Sequence, residues 1–200
     1  MSVKKMEKEY KESFGQIPND SLESLDYLLN SLNTKNINID LLIKKATKRK
    51  WKEISYTIFL VPKATPRPRS GANGIFYVKG AKDNKDLFKK YFKNNDINLI
   101  TTPTEFQCRS YLPIPKSMKR SEKILAELGF IYPTSKPDVD NLAKAYCDMI
   151  QGILLYDDSL VIKMITEKYY SVKPRIEIVI RYMDDYDSEF NKKKILKGRN

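Results

Sequence analysis

The stretch Lys136–Ser159, KPDVDNLAKAYCDMIQGILLYDDS, sets Asp138 and Asp140 ahead of an apolar run and Asp157 and Asp158 behind it. Pro137 imposes an extended entry, and in an extended segment residues two apart point the same way, so Asp138 and Asp140 share a side. From Asp140 the spacing predicts a helix to about Ile150, capped by Asp140 or Asn141. Asp140, Lys144 and Asp148 lie on one face at i, i+4 and i+8, and Leu142, Ala145, Tyr146 and Met149 face the core. Taken singly, some of these residues have ordinary roles. An N-cap at Asp140 is worth about 1 kcal/mol, and Lys144 with Asp148 is a surface ion pair of small value. Those roles leave out Asp138 and the acidic pair that ends the apolar Gly152–Tyr156 run, which is expected as a strand. Carboxylates gathered without a cation repel and raise one another's pKa. A Mg²⁺ ion, which takes a few carboxylates plus waters, relieves that repulsion, and it activates water and stabilises phosphoryl transition states.

The composition supplies the complementary charge. Lys plus Arg number 37 against 25 Asp plus Glu, a formal net charge of +12, which implies a polyanionic partner, nucleic acid or an anionic membrane surface. No apolar run reaches the roughly 20 residues of a membrane span, and MSVKKMEKEYKESF lacks the apolar stretch of a signal peptide. Cys108 and Cys147 are too far apart for a metal motif and read as reduced thiols of an intracellular, cytoplasmic protein. The absence of histidine excludes a Ser-His-Asp triad and His-ligated zinc or iron. The absence of a Gly-rich phosphate loop excludes a P-loop ATPase, so no nucleotide cofactor is expected. Acids that hold a metal inside a protein whose cations gather nucleic acid are the electrostatic pattern of a nuclease.

The 200 residues suit one domain with an appendage. Residues 1–53 read as a helical extension. Asp20 and Glu23 form a capping-box pattern, Leu22, Leu25, Leu28, Leu29 and Leu32 an apolar stripe, and a second amphipathic stretch runs from Asp40 to the basic Lys48, Arg49 and Lys50. It is either a partner-binding or dimerising arm or a helical pair packed on its own domain. The domain proper spans 54–183. It is expected to open with a strand at Ser55–Val61, followed by VPKATPRPRSG, whose prolines exclude regular structure and present Lys63, Arg67 and Arg69 to phosphates on a stiff loop. A helix at Asp83–Asn94 turns Leu87, Phe88, Tyr91 and Phe92 to the core. A strand at Phe106–Leu112 puts Phe106, Cys108, Ser110 and Leu112 inside, and a short helix from Ser117 exposes Lys119, Arg120 and Lys123 and stops at Gly129. Val161–Tyr170 and Arg175–Tyr182 read as a hairpin with Ile176, Ile178 and Ile180 inward. The charged tail, 184–200, is expected to be flexible. These elements make an α/β (α+β) fold, a mixed β-sheet flanked by helices with an N-terminal helical extension.

Pro137-Asp138 could open the Pro-Asp…(Asp/Glu)-x-Lys nuclease signature, but no later Asp or Glu stands two residues before a Lys. The chain instead resembles the RusA family of Holliday-junction resolvases over about Ile54–Tyr182. The core is Pro137-Asp138-Val139-Asp140-Asn141-Leu142-Ala143-Lys144, the later acidic pair is Asp157-Asp158, and PKATPRPR is the upstream basic proline segment; Lys168 and Pro174-Arg175 also fit. The resemblance implies a Mg²⁺-dependent (Mn²⁺ as substitute), structure-specific endodeoxyribonuclease. It implies a homodimer that resolves four-way DNA junctions by paired symmetric nicks in recombination and repair. Asp138, Asp140 and Asp158 match the catalytic, metal-binding aspartates, Lys144 the essential lysine, and Asp157 a further acid beside the metal. Lys63, Arg67, Arg69, Lys119, Arg120, Lys168 and Arg175 are the candidate DNA contacts. The competing readings are a branched-DNA-binding accessory protein that does not cut, and a nuclease of the same fold acting on flaps, forks or RNA.

The basic-loop expectation is measurable. Replacing Lys63, Arg67 and Arg69 together with alanine should weaken binding to a four-way junction and lower the slope of log affinity against log salt by about 0.9 for each phosphate left unneutralised. An unchanged slope in a filter-binding salt titration would make the segment a solvated linker.

Overall fold

A computed structural model describes residues 27–32, 38–64, 69–71, 74–76, 81–92, 99–184 and 186. The chain divides into two compact units between Lys50 and Trp51. In the first, residues 27–31 are helical and helix α1 spans Ile39–Thr47, where Asn38 accepts the Leu41 N–H at 3.0 Å as its N-cap. Leu28, Leu32, Leu41 and Leu42 are exposed. The Asp20–Glu23 capping pattern, Leu22 and Leu25 lie outside the described residues.

The second unit begins with strand β1, Trp51–Ile58, so Trp51, Lys52 and Glu53 already belong to the sheet. The strand starts and ends earlier than the expected Ser55–Val61. Its bounds follow its partner: Trp51 pairs with Met183 and Ile58 with Ile176. Then come β2 (Arg69–Gly71), β3 (Gly74–Phe76), α2 (Ala81–Phe92), β4 (Thr104–Pro113), α3 (Arg120–Glu127), α4 (Val139–Ile150), a 3₁₀ turn (Asp158–Leu160), β5 (Val161–Ser171) and β6 (Arg175–Met183). β2 and β3 form a small antiparallel pair, and the main sheet has the order β1-β6-β4-β5. β4 is parallel to β5 and antiparallel to β6, so the sheet is mixed, as expected of an α+β fold.

The expected hairpin between β5 and β6 does not form, because β4 lies between them. Their connection, Val172-Lys173-Pro174, lacks the Asn-Gly or Asp-Gly turn that would pin two strands directly together. The strictly alternating β4 takes the centre: Thr104, Phe106, Cys108, Ser110 and Leu112 are all buried. The Ser117 helix starts three residues later than expected, at Arg120. There the Glu122 carboxylate accepts the Lys119 backbone N–H at 2.8 Å, one half of a capping box. Gly129, at φ +80°, ends the turn that follows, in a conformation that suits glycine.

The core lies on one face of the sheet. Helix α4 buries Leu142, Ala143, Ala145, Tyr146, Cys147, Met149 and Ile150 against Phe106 and Cys108 of β4 and Ile176, Ile178 and Ile180 of β6. From α2, Phe88 and Phe92 join them, with Phe88 stacked on Tyr146 at 6.1 Å, whereas Leu87 and Tyr91 stay exposed. The central polar contact of this core is the 2.9 Å hydrogen bond between the Tyr146 hydroxyl and Ser110 Oγ. Burial raises the Tyr146 pKa, so the phenol stays protonated.

Removing one partner of that bond strands the other in an apolar site. Tyr146→Phe and Ser110→Ala should each cost about 1–3 kcal/mol, and the double variant less than the sum of the two. Urea denaturation of the four proteins checks this; additive costs would mean that the two hydroxyls do not depend on each other.

Candidate active site

Helix α4 begins one residue after Asp138, which occupies the N-cap position in an extended conformation. The expected cap at Asp140 or Asn141 is therefore displaced. The chain bends through Ser135–Pro137, with a cis Lys136-Pro137 bond, rather than entering extended as expected; Asp138 itself is extended, and its carbonyl accepts the Leu142 N–H at 3.1 Å, the first helical bond. The Asp138 carboxylate makes no cap bond; its Oδ2 accepts from Asn141 Nδ2 at 3.3 Å. Asp140 falls in the first turn and Lys144 one turn later, both exposed on the side opposite the buried stripe.

The run after the helix is a buried loop rather than the expected strand. Gly152 takes φ +74°, and the N–H groups of Ile153, Leu154 and Leu155 all return to the Ile150 carbonyl, at 3.0–3.3 Å. Four apolar residues behind a left-handed glycine fold back on the helix end, and Leu154 and Leu155 are buried. The loop delivers the acidic pair to different tasks. Asp157 caps the 3₁₀ turn, with Oδ1 accepting the Ser159 N–H at 3.0 Å and Oδ2 accepting Gln151 Nε2 at 3.3 Å. Asp158 is exposed and lines a cavity.

That cavity, open and of about 610 Å³, is lined by Asp140, Lys144 and Cys147 of α4, by Asp158, and by Val161–Met164 and Thr166 of β5. It brings Asp140, Lys144 and Asp158 together from separate segments. Asp138 and Asp157 are not among its lining residues. Asp138 lies at the start of α4, about 13 Å along the axis from Cys147 at 1.5 Å per residue. Among the described residues, no three His, Cys, Asp or Glu side chains stand close enough together to hold one ion. The donors that do share the cavity are hard carboxylate oxygens, exposed to water. Mg²⁺ is ordinarily held by one or two carboxylates, with waters and substrate phosphates completing its shell, so this donor set fits it.

The candidate DNA contacts divide. Lys63 is exposed on the rim of a second cavity of about 240 Å³, bounded by Leu87, Phe88 and Tyr146. Arg67 lies outside the described residues; Arg69 opens β2, its side chain outside them. Lys119 and Arg120 are exposed at the start of α3. Two others are engaged within the protein. Arg175 pairs with Glu177 at 2.8 Å and lies 3.5 Å from the centroid of the Tyr111 ring. Lys168 donates to the Ser135 and Pro137 carbonyls at 2.8 and 3.2 Å. Sequence reasoning missed Lys163 and Thr166 in the cavity and Gln151 behind Asp157. For Lys163 and Thr166 the only signal is the strand alternation from Val161, which does not tell which face α4 covers, and Gln151, at the end of α4, carries none.

Cys147 lies in the cavity wall but is only 3% exposed. Burial first, and then the neighbouring Cys108, Asp148 and Asp158 charges, push its thiol up to about 12; burial raises Cys108 to about 11. Neither thiolate is available as a ligand or nucleophile near neutral pH. Both pKa values are higher folded than unfolded, so the stability present below pH 9 should fall as the pH rises toward 11 and 12. Cys147→Ala should lose less stability between pH 8 and pH 10 than the parent, by on the order of 1 kcal/mol, in paired urea titrations. Equal losses would show that the thiol titrates alike in both states.

The model of the family endodeoxyribonuclease RusA matches residues 60–181, which include α4, the acidic pair and β5. A curated relative, the uncharacterized protein YqaN of Bacillus subtilis (strain 168), is 35% identical over 136 residues, covering 64% of this chain and 95% of the relative. With more than half of its length matched, and with the acidic crossover inside the match, the chain belongs to the RusA endodeoxyribonuclease family.

Proposed function

We propose that the protein is a divalent-metal-dependent endonuclease that cuts four-way DNA junctions as a homodimer, nicking two strands symmetrically. One observation carries this reading: Asp140, Lys144 and Asp158, from two separate segments of the family-matched span, line one open cavity. Asp140 and Asp158 would hold Mg²⁺, or Mn²⁺ in its place, with waters and a DNA phosphate completing its shell, and Asp138 at the helix start is the further catalytic acid that the family resemblance implies. Bound there, the ion supplies an activated water and neutralises charge on the phosphoryl oxygens.

The chain's own residues orient the DNA. Lys144, one turn from Asp140, binds the scissile phosphate and works chiefly on the transition state. Asp157 acts as a brace that keeps the Asp158 turn in place through Ser159 and Gln151. The exposed Lys63, Lys119 and Arg120, with Arg67 and Arg69, gather the duplex arms by counterion release. Homodimeric assembly and junction specificity are the parts of this reading that the family resemblance alone supports. Residues 1–50, ahead of β1, serve as an arm for a partner or for the second copy, and two free, buried cysteines suit the reducing cytoplasm.

Labelled four-way junction and matched linear duplex, each with and without Mg²⁺, test the proposal. Cleavage of the junction alone, in Mg²⁺ alone, is expected. Asp138→Asn, Asp140→Asn and Asp158→Asn should each lower the single-turnover rate by orders of magnitude while keeping or tightening junction binding. Lys144→Ala should slow cleavage at saturating DNA with little change in affinity. Aspartate variants that cut at near the parental rate would remove the metal assignment, and equal cutting of linear duplex would remove the junction preference.

A further inference from the structure

Lys168 lies on the side of the sheet that α4 covers. Its neighbour across β4 is Ser110, and Thr166 lies opposite Cys108; both of these β4 residues are buried. A lysine so placed needs partners for its N–H donors. Its partners are backbone carbonyls: Ser135 O at 2.8 Å and Pro137 O at 3.2 Å. Thr166, two residues earlier on the same strand, donates from Oγ1 to Val139 O at 3.4 Å. The carbonyls on either side of Asp138 are therefore both held by β5.

Residues 131–138 have no helix or strand of their own, so no backbone ladder fixes the approach to Asp138. β5 also begins directly after the turn that carries Asp158. One strand thus supports Asp158 at its start and grips the Asp138–Asp140 turn further along. We infer that Lys168 is a positioning residue: it anchors the Asp138–Asp140 turn relative to Asp158, and it sets the affinity for the divalent cation rather than for DNA. The inference rests on the metal-dependent reading above and replaces the DNA-contact role expected for this lysine.

Lys168→Met keeps the aliphatic stem and removes the ammonium; Thr166→Val removes the second grip and no charge. Mn²⁺ binding to the full chain without DNA, followed by electron paramagnetic resonance, is compared with the salt dependence of junction binding in the absence of metal. Both variants should weaken Mn²⁺ binding, Lys168→Met by on the order of 10–100-fold, as loss of a group that orients metal ligands does. The half-saturating Mn²⁺ for single-turnover cleavage should rise by the same factor, with the rate recovered at high Mn²⁺. The salt slope should stay at the parental value. A slope lowered by about 0.9 with unchanged Mn²⁺ affinity would make Lys168 a phosphate contact and overturn the inference. Unchanged values in every readout overturn it equally. If Lys168→Met loses its fold by circular dichroism, Thr166→Val decides, and parental Mn²⁺ affinity in that variant overturns the inference. A parent chain that neither binds Mn²⁺ nor cleaves would instead overturn the metal reading, and the inference with it.

Discussion

The parallel pairing of β4 with β5 is the constraint on which the rest of this molecule depends. Parallel neighbours cannot be joined by a tight turn; the chain must leave the sheet, travel the length of a strand and return. Residues 114–160 make that excursion, and they carry α3, α4, Asp138, Asp140, Lys144, Asp157 and Asp158. The same segment has to bury one side to cover the sheet, which frees its other side for chemistry. Ala143 and Ala145 add little bulk to the buried side of α4, and Tyr146 locks it to the central strand through Ser110. The acidic residues are thus held by the core that makes the fold stable.

Electrostatics divides the sheet's two sides. The side away from α4 carries Glu105, Glu167 and Glu177, each met by a cation: Arg181 at 2.7 Å from Glu105, Arg109 at 2.7 Å from Glu167, and Arg175 at 2.8 Å from Glu177. Arg109 holds the Glu167 carboxyl below its ordinary range. Such exposed pairs add little stability. They do cancel charge locally, so the chain's excess of +12 falls elsewhere. Tyr111 stacks on Tyr169 beside these pairs, Tyr132 packs tilted against Tyr169, and Arg175 caps Tyr111. A lysine and an arginine read from sequence as free to meet phosphate, Lys168 and Arg175, are instead joined to the protein's own oxygens. The carbonyls of an irregular loop attract Lys168, and a carboxylate two residues along the same strand attracts Arg175; only the loop is distant in sequence.

What the sequence determined by itself was local and periodic. Alternation placed Phe106, Cys108, Ser110 and Ile176–Ile180 inside, and helical spacing put Asp140 and Lys144 on the face opposite Leu142 and Tyr146. The carboxylates, the basic excess and the absent histidines together pointed to a metal and a polyanion. These follow from residue type and from periods of 2 and 3.6, which need no knowledge of partners. Only the tertiary structure decided the rest. It inserted β4 between β5 and β6, because a permissive three-residue connection does not dictate pairing. It folded Gly152–Tyr156 back as a loop, because a positive φ and one shared carbonyl outweighed a short apolar run. It gave Asp157 a bracing role and Asp158 the cavity, although adjacent acids look alike in sequence. It gathered Asp140, Lys144 and Asp158 while leaving Asp138 at the helix start, since the meeting of side chains from separate segments depends on register and crossover, which pairwise packing across the whole domain sets.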